Sequence, residues 1–183
     1  LKSNGRGEVG KSLKAYQSFL RKARKHKRDF DQKFIDFDLM LAFLKLDSWE
    51  EAEKRCIRIA HNNLPVRNDI GDLAKIFLPL IRLEKLFENQ SGSELEYCKH
   101  FEDSVESAYN YFRKRKGYYP VEMLLVDFFR QILKILPKTD ELPVLFQALI
   151  DQLQKLSDEN EMPSAQVFQL FDFLKWAREK RLA

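Results

Sequence analysis

The residues Gly5 to Ser12 read GRGEVGKS and match the phosphate-loop pattern Gly-x-x-x-x-Gly-Lys-Ser/Thr. In a phosphate loop, a buried strand leads into the glycine-rich turn, and the backbone N–H groups at the start of the next helix bind the phosphates. Here only LKSN stands before Gly5, and no later apolar run ending in aspartate suggests a strand that would carry a magnesium ligand. We therefore expect residues 1–11 to be a flexible basic leader rather than a nucleotide site, with Ser12 capping the first helix.

Metal and nucleophile patterns are the other residue combinations that could perform chemistry. The three histidines, His26, His61 and His100, lie in separate segments, and the chain contains no Cys-x-x-Cys and no Glu-x-x-His pair. There is also no Gly-x-Ser-x-Gly, and the serines stand mainly at caps and turns. The sequence thus predicts a non-enzymatic protein with no catalytic residue, no metal and no cofactor.

Two basic clusters remain, at residues 21–28 and 113–116, and the second stands beside tyrosines 109, 111, 118 and 119. Basic and aromatic residues together can hold phosphates and stack bases, so nucleic-acid binding is one hypothesis for these clusters. An acidic protein partner or an anionic surface is another. A structural interpretation is also open, because cations favour helix C-termini and tyrosines at helical spacing often lie at the edge of a core.

Composition limits the class of protein. The chain has 183 residues, of which 44% are hydrophobic and 33% are charged, as in a folded globular domain. The net charge of +4 is uneven, because residues 1–28 hold ten Lys/Arg against the single acid Glu8. No apolar run reaches the roughly 20 residues that span a bilayer, and we expect a cytoplasmic protein. The chain begins at Leu1 without methionine, and we expect it to be a fragment of a longer one.

Helical periodicity continues from Leu13 to the end, and we identify no convincing strand. Helix boundaries are expected at Ser48, at the HNNLP segment ending in Pro65, at the NQSGS turn, and at Gly117 with Pro120. The sequence therefore predicts an all-α protein of about eight helices, forming one domain over residues 12–183. Short loops between these helices favour antiparallel hairpins that stack side by side. The two cysteines, Cys56 and Cys98, are expected to be buried free thiols.

Residues 39–63, LMLAFLKLDSWEEAEKRCIRIAHNN, resemble the core of a tetratricopeptide repeat. Ala42 and Phe43 match the small residue and aromatic before the turn, while Trp49 and Ala52 match the aromatic and alanine after it. The chain departs from the pattern at Asp47, where glycine is usual, at Met40 and at Ile59. From about Phe30 to Lys180 the chain is similar to the C-terminal region of uncharacterised bacterial tetratricopeptide-type proteins, through the segments PVRNDIGDLAKIFLPLIRLEKLFEN, ESAYNYFRKRKGYYPVEMLLVDFFRQI and LFDFLKWAREK.

The resemblance implies a superhelix of stacked helical hairpins, which commonly binds a protein or peptide along an extended surface. We therefore predict a non-enzymatic scaffold for protein–protein interaction. Nucleic-acid binding through clusters 21–28 and 113–116 is the alternative, and an enzyme completed by other domains of a longer chain is a third. Polar and aromatic residues without an obvious core role are the predicted partner-binding residues: Arg67, Asn68, Tyr109, Arg113, Arg115 and Tyr119.

Overall fold

A computed structural model describes residues 10–11, 13–14, 17–18, 32–61, 68–88, 94–115, 119–136, 139–158 and 170–182. All regular structure in these residues is helical, which confirms the predicted all-α class. The longer helices, in chain order, are α1 (Gln32–Lys45), α2 (Trp49–His61), α3 (Asn68–Glu88), α4 (Glu94–Phe112), α5 (Pro120–Ile135), α6 (Leu142–Asp158) and α7 (Phe173–Arg181). Two short 3-10 turns cover Arg113–Arg115 and Thr139–Glu141. Among the described helices, none is long and apolar enough to cross a membrane.

The chain forms two compact units, Leu1–Phe101 (unit 1) and Glu102–Ala183 (unit 2). Helices α1 to α3 belong to unit 1, helices α5 to α7 belong to unit 2, and α4 has residues in both.

The structure describes only a few residues near the start of the chain. Helical conformation is found at Gly10, Lys11, Leu13 and Lys14, whereas Ser12 lies outside the described residues. The predicted boundary between a leader and a domain at residues 11 and 12 stays a prediction.

Helix α3 provides the centre of the unit 1 core. Its apolar side chains are buried from Ile70 to Leu86 apart from Leu78, which is partly buried, and the helix continues through Pro79. Helix α2 packs against both α1 and α3, so consecutive helices form the core. In α1 the buried residues include Ile35, Leu39 and Met40, while Phe34 and Leu41, which the apolar spacing also places in the core stripe, are only partly buried.

The connection between α1 and α2 is three residues long, and Asp47 adopts the left-handed conformation within it, with φ 54°. The Ser48 N–H donates to the Phe43 carbonyl at 2.9 Å, and the Asp47 N–H donates to the Leu44 carbonyl at 3.2 Å. These two bonds form a Schellman motif, which satisfies carbonyls at the end of α1. Helix α2 then begins at Trp49, directly after Ser48, where the sequence predicts a boundary.

We expect Asp47→Val to lower the free energy of unfolding by about 1–2 kcal/mol, because a β-branched residue is strained at positive φ. Asp47→Asn is the matched control and should stay within about 0.5 kcal/mol of the parent, since asparagine tolerates this conformation. Urea denaturation followed by circular dichroism measures both changes. Equal stability of the two variants would contradict the assigned turn.

An aromatic cluster forms the core of unit 2. The Phe128 ring lies 5.2 Å from that of Phe146 and 6.0 Å from that of Trp176, measured between ring centroids. Trp176 also contacts Phe146 at 5.5 Å and Phe173 at 6.1 Å, both nearly edge to face. One ring from α5, one from α6 and two from α7 therefore meet at this point.

Two sequence expectations are wrong in detail. The periodicity of Val167 to Ala177 predicts one helix, but Phe171 and Asp172 are not helical, and α7 starts at Phe173. The Asp172 carboxylate accepts a hydrogen bond from the Lys175 backbone N–H at 2.9 Å and so caps α7, which explains the interruption. Cys56 is a buried thiol as predicted, whereas Cys98 is only partly buried.

Candidate partner-binding site

The predicted partner-binding residues fall in both units. Arg67 lies outside the described residues, and Asn68 is the first residue of α3 in unit 1. Tyr109, Arg113 and Tyr119 lie close together in sequence in unit 2, and Arg115 ends the 3-10 turn. The structure therefore brings together one group of these residues, around the connection between α4 and α5.

This connection is built from a helix end, a short turn and a proline start. Helix α4 ends at Phe112, the turn Arg113–Arg115 follows, and α5 starts at Pro120. Proline is favoured at the first helical position because its missing N–H would have no partner there and its fixed φ suits the helix. Tyr119 is the N-cap residue of α5, and its side chain makes no capping hydrogen bond. Its ring is therefore not used as a cap.

Phe112 anchors the aromatic residues on both sides of the turn. It is fully buried, with its ring 5.1 Å from that of Tyr111 and 5.3 Å from that of Tyr119. Both pairs are edge to face, an arrangement that aromatic rings favour because their edges are positive and their faces negative. The Tyr119 ring packs on this anchor, so the start of α5 is fixed against the end of α4.

Tyr109 carries two arginine side chains over its ring. The guanidinium carbon of Arg130, from α5, lies 3.8 Å from the ring centroid, and that of Arg113 lies 5.7 Å from it. A guanidinium over a tyrosine face is stabilised by the ring quadrupole, by roughly 0.5–2 kcal/mol depending on desolvation. We call Tyr109, Arg113 and Arg130 the arginine–tyrosine stack. It joins the last turn of α4 to α5.

The stack lies in a basic part of the surface. Arg113 and Lys114 are exposed, and neither forms an ion pair with the described residues. Within the described part of the chain, Arg130 has one acidic residue at ion-pair distance, Asp127, whose oxygen is 3.8 Å from the guanidinium nitrogen. That separation is beyond hydrogen-bond distance, so the pair is a loose electrostatic contact. The surface can therefore attract an anionic group and donate hydrogen bonds to it.

Sequence reasoning missed Arg130, although a signal was present. Between Pro120 and Leu133 it is the only lysine or arginine in a largely apolar stretch. A cation in such a helix needs a partner or a route to the surface, and the side chain of Arg130 is about one-third exposed. Its proximity to Tyr109 depends on how α4 and α5 pack, which the spacing of residues alone does not give.

A second polar cluster lies in unit 1, where Glu53 on α2 pairs with two cations on α3. Arg82 Nε donates to one Glu53 oxygen at 2.7 Å, and Lys85 Nζ donates to the other at 2.6 Å. Arg82 Nη1 also donates to the His100 carbonyl of α4 at 2.6 Å. Lys85 Nζ reaches Glu50 at 2.6 Å and lies 5.4 Å from the Tyr97 ring centroid. These contacts connect α2, α3 and α4.

The ionisation of this cluster suits a structural role better than catalysis. Burial lowers the pKa of Lys85, but hydrogen bonds to Glu50 and Glu53 outweigh that effect, so the net pKa is raised. Lys85 thus stays protonated at neutral pH and is not a nucleophile or a base. Burial raises the pKa of the Cys56 thiol well above its usual range, and the thiol lies 3.1 Å from the Ala74 carbonyl, to which it donates. Cys56 is therefore an unreactive core residue.

Within the described part of the chain, no group of three or more histidines, cysteines, aspartates or glutamates is arranged to hold a metal ion. Most of the phosphate-loop pattern lies outside the described residues, although Gly10 and Lys11 are helical. No protein-family model, no curated protein and no solved structure matches this chain. The support for the candidate site therefore comes from the contacts of its own residues and not from similarity to a known protein.

Proposed function

We propose that this chain is a non-enzymatic helical-repeat scaffold of tetratricopeptide-like architecture that binds another protein or a peptide. The pairing of α1 with α2 and of α2 with α3 supports this architecture, because repeat proteins are built from stacked helical hairpins. The Cys56 thiol, which forms no disulfide, supports a cytoplasmic location, since reducing compartments keep thiols reduced.

The single observation that best supports partner binding is the arginine–tyrosine stack beside the exposed turn. Arginine and tyrosine are enriched among the residues that contribute most to binding at protein interfaces. Tyr109 and Tyr119 are held by neighbouring side chains, so binding would cost them little conformational entropy. We propose Tyr109, Arg113, Arg115 and Tyr119 as the binding residues of unit 2, with Arg67 and Asn68 as those of unit 1.

A displayed library of random 12-residue peptides tests this function without assuming a ligand. We expect selection to enrich peptides that shift the backbone amide resonances of residues 109–119 in the ¹⁵N-labelled protein. Arg113→Gln should weaken these peptides, because it removes an exposed cation beside Tyr109. Arg178→Gln is the matched control, since Arg178 is an exposed arginine of α7 and its loss changes the net charge equally.

Two results would contradict the proposed function. One is a library from which no peptide is enriched over an unrelated helical protein. The other is a set of enriched peptides whose binding leaves the amides of residues 109–119 unshifted.

Nucleic-acid binding is the second candidate function, and the exposure of Arg113 and Lys114 supports it. Residues 21–28, the other basic cluster, lie outside the described residues. Binding carried by phosphates weakens steeply with salt, because cationic side chains displace counterions. Mixed-sequence single-stranded DNA, titrated at low and at physiological salt, tests this candidate, and an unchanged affinity would eliminate it.

A further inference from the structure

We infer that the arginine–tyrosine stack is a receptor for carboxylates, and that its partner is an acidic, extended segment of another protein. This inference rests on the proposed function and names the chemistry of the partner. Three properties of the stack support it: the donors that Arg130 retains, the closeness of two guanidinium groups, and the occupation of Tyr109 by arginine.

Arg130 keeps hydrogen-bond donors that it does not use within the described residues. A guanidinium has five N–H donors in a planar fork, and this fork matches the two oxygens of a carboxylate. Stacking on Tyr109 uses the face of the guanidinium, whereas hydrogen bonds use its edge. Among the described residues, the one ion pair of Arg130 is the 3.8 Å contact with Asp127, which is too long to be a hydrogen bond. Arg130 is therefore oriented by the ring and still able to bind a carboxylate.

Arg113 places a second guanidinium over the same ring. Because the two guanidinium carbons lie 3.8 Å and 5.7 Å from one centroid, they cannot be farther apart than these distances combined. In an extended peptide, side chains two residues apart point the same way and are separated by about 6.5 Å. Two acidic residues at alternate positions therefore have a spacing that both arginines can reach. Lys114, exposed beside Arg113, adds a third positive charge.

The occupation of Tyr109 argues for a carboxylate partner over a single-stranded nucleic acid. Proteins that bind single strands offer aromatic faces on which bases stack. The Arg130 guanidinium, at 3.8 Å, already covers a face of the Tyr109 ring. Tyr119 is engaged with Phe112 through an edge-to-face contact. Tyr109 and Tyr119 are thus both engaged with neighbouring side chains, which favours an anion that is bound by hydrogen bonds.

Fluorescence anisotropy with two synthetic peptides tests the carboxylate receptor on the full chain. The acidic probe is a labelled nine-residue peptide with glutamate at alternate positions and serine between them. The neutral probe has glutamine at each glutamate position, so the two probes differ only in charge. We expect the acidic probe to bind at least about tenfold more tightly, because hydrogen bonds between ionised groups are stronger than neutral ones.

Variants of the two arginines locate the binding and distinguish charge from geometry. Arg130→Lys keeps the charge but loses the planar fork, and we expect it to weaken the acidic probe by about tenfold. Arg113→Gln lies on the exposed turn and should weaken the probe several-fold without changing the fold. Arg178→Gln, with the same change in net charge on α7, should leave affinity nearly unchanged. Circular dichroism of each variant checks that its helices are intact.

Three outcomes would overturn the carboxylate receptor. The first is equal affinity for the acidic and neutral probes, and the second is full affinity in both Arg130→Lys and Arg113→Gln. The third is tighter binding of single-stranded DNA than of the acidic probe at physiological salt, with the same loss on Arg113→Gln. If the peptide library instead selects neutral sequences that bind at residues 109–119, the scaffold function stands and the carboxylate receptor alone is wrong.

Discussion

The variant Trp176→Ala should lose about 3–5 kcal/mol of the free energy of unfolding, the largest change that we expect from a single substitution in this chain. Trp176 is only 6% exposed, and its ring contacts those of Phe128, Phe146 and Phe173. Alanine would remove the contacts of an entire indole and leave a cavity where α5, α6 and α7 meet. The surrounding rings can close that cavity only in part.

Urea denaturation followed by circular dichroism measures this loss. Trp176→Phe keeps an aromatic ring at the same place, and it should lose clearly less stability than the alanine variant. Val144→Ala is the surface control, because Val144 is 74% exposed, and we expect a change within about 0.5 kcal/mol. A loss below about 1 kcal/mol in Trp176→Ala would contradict the central place of this ring in unit 2.

The second large effect is expected at the ion-pair cluster of unit 1. Arg82→Met should cost about 3 kcal/mol, since breaking a buried pair leaves the other charge poorly compensated. The side chains of Arg82 and Glu53 are only 16% and 11% exposed, so solvent screens the pair weakly. Methionine replaces the aliphatic stem of arginine, and the main losses are the bonds to Glu53 and to the His100 carbonyl. Lys85 remains paired with Glu53 and limits the damage.

Acid titration checks the same cluster independently. Burial raises the pKa of Glu53, but hydrogen bonds from Lys85 and Arg82 outweigh it, and the folded-state pKa is below the ordinary value of 4.5. The stabilisation from this carboxylate is therefore fully present above the unfolded-state pKa and is lost as pH falls through the folded-state pKa. Glu53→Gln removes the titrating group, so its stability should fall less than that of the parent between pH 6 and pH 3.

A double-variant cycle completes this test. Glu53→Gln with Arg82→Met removes both charges of this pair, and Lys85 keeps its contact with Glu50. We therefore expect the combined loss to be smaller than the two single losses added together. Additive losses would mean that Arg82 and Glu53 do not stabilise the protein through their pairing. Free energies of unfolding from urea denaturation at pH 7 provide all four corners of the cycle.

The sequence predicted the helices better than it predicted the environment of the charged residues. Local signals explain the success: α2 begins directly after Ser48, and α5 begins at Pro120, because capping and proline chemistry act over a few residues. Periodicity assigns charged residues to the outer face of a helix, yet Asp36, Glu53 and Glu84 are buried. Asp36 accepts from Arg55 at 2.8 Å and Glu53 accepts from Arg82, so the partners that permit burial come from another helix.

The candidate site shows the same division between local and distant information. Tyr109, Arg113 and Tyr119 were found because a basic run stands beside tyrosines in the sequence. Arg130 was not found, because it lies on α5 and reaches Tyr109 only through helix packing. Arg113 was predicted as a partner-binding residue, but its position over the Tyr109 ring, shared with Arg130, is a tertiary property that no spacing rule contains.

The tight connection at Asp47 also has a consequence for how unit 1 forms. Helices α1 and α2 are joined by only three residues, and α2 packs in turn against the next helix, α3. Closing short loops costs little chain entropy, and proteins dominated by contacts between near neighbours in sequence fold on the microsecond to millisecond scale. We therefore expect the α1–α2 hairpin to be complete before the rest of the chain has left the ribosome, with α3 adding to a surface that already exists.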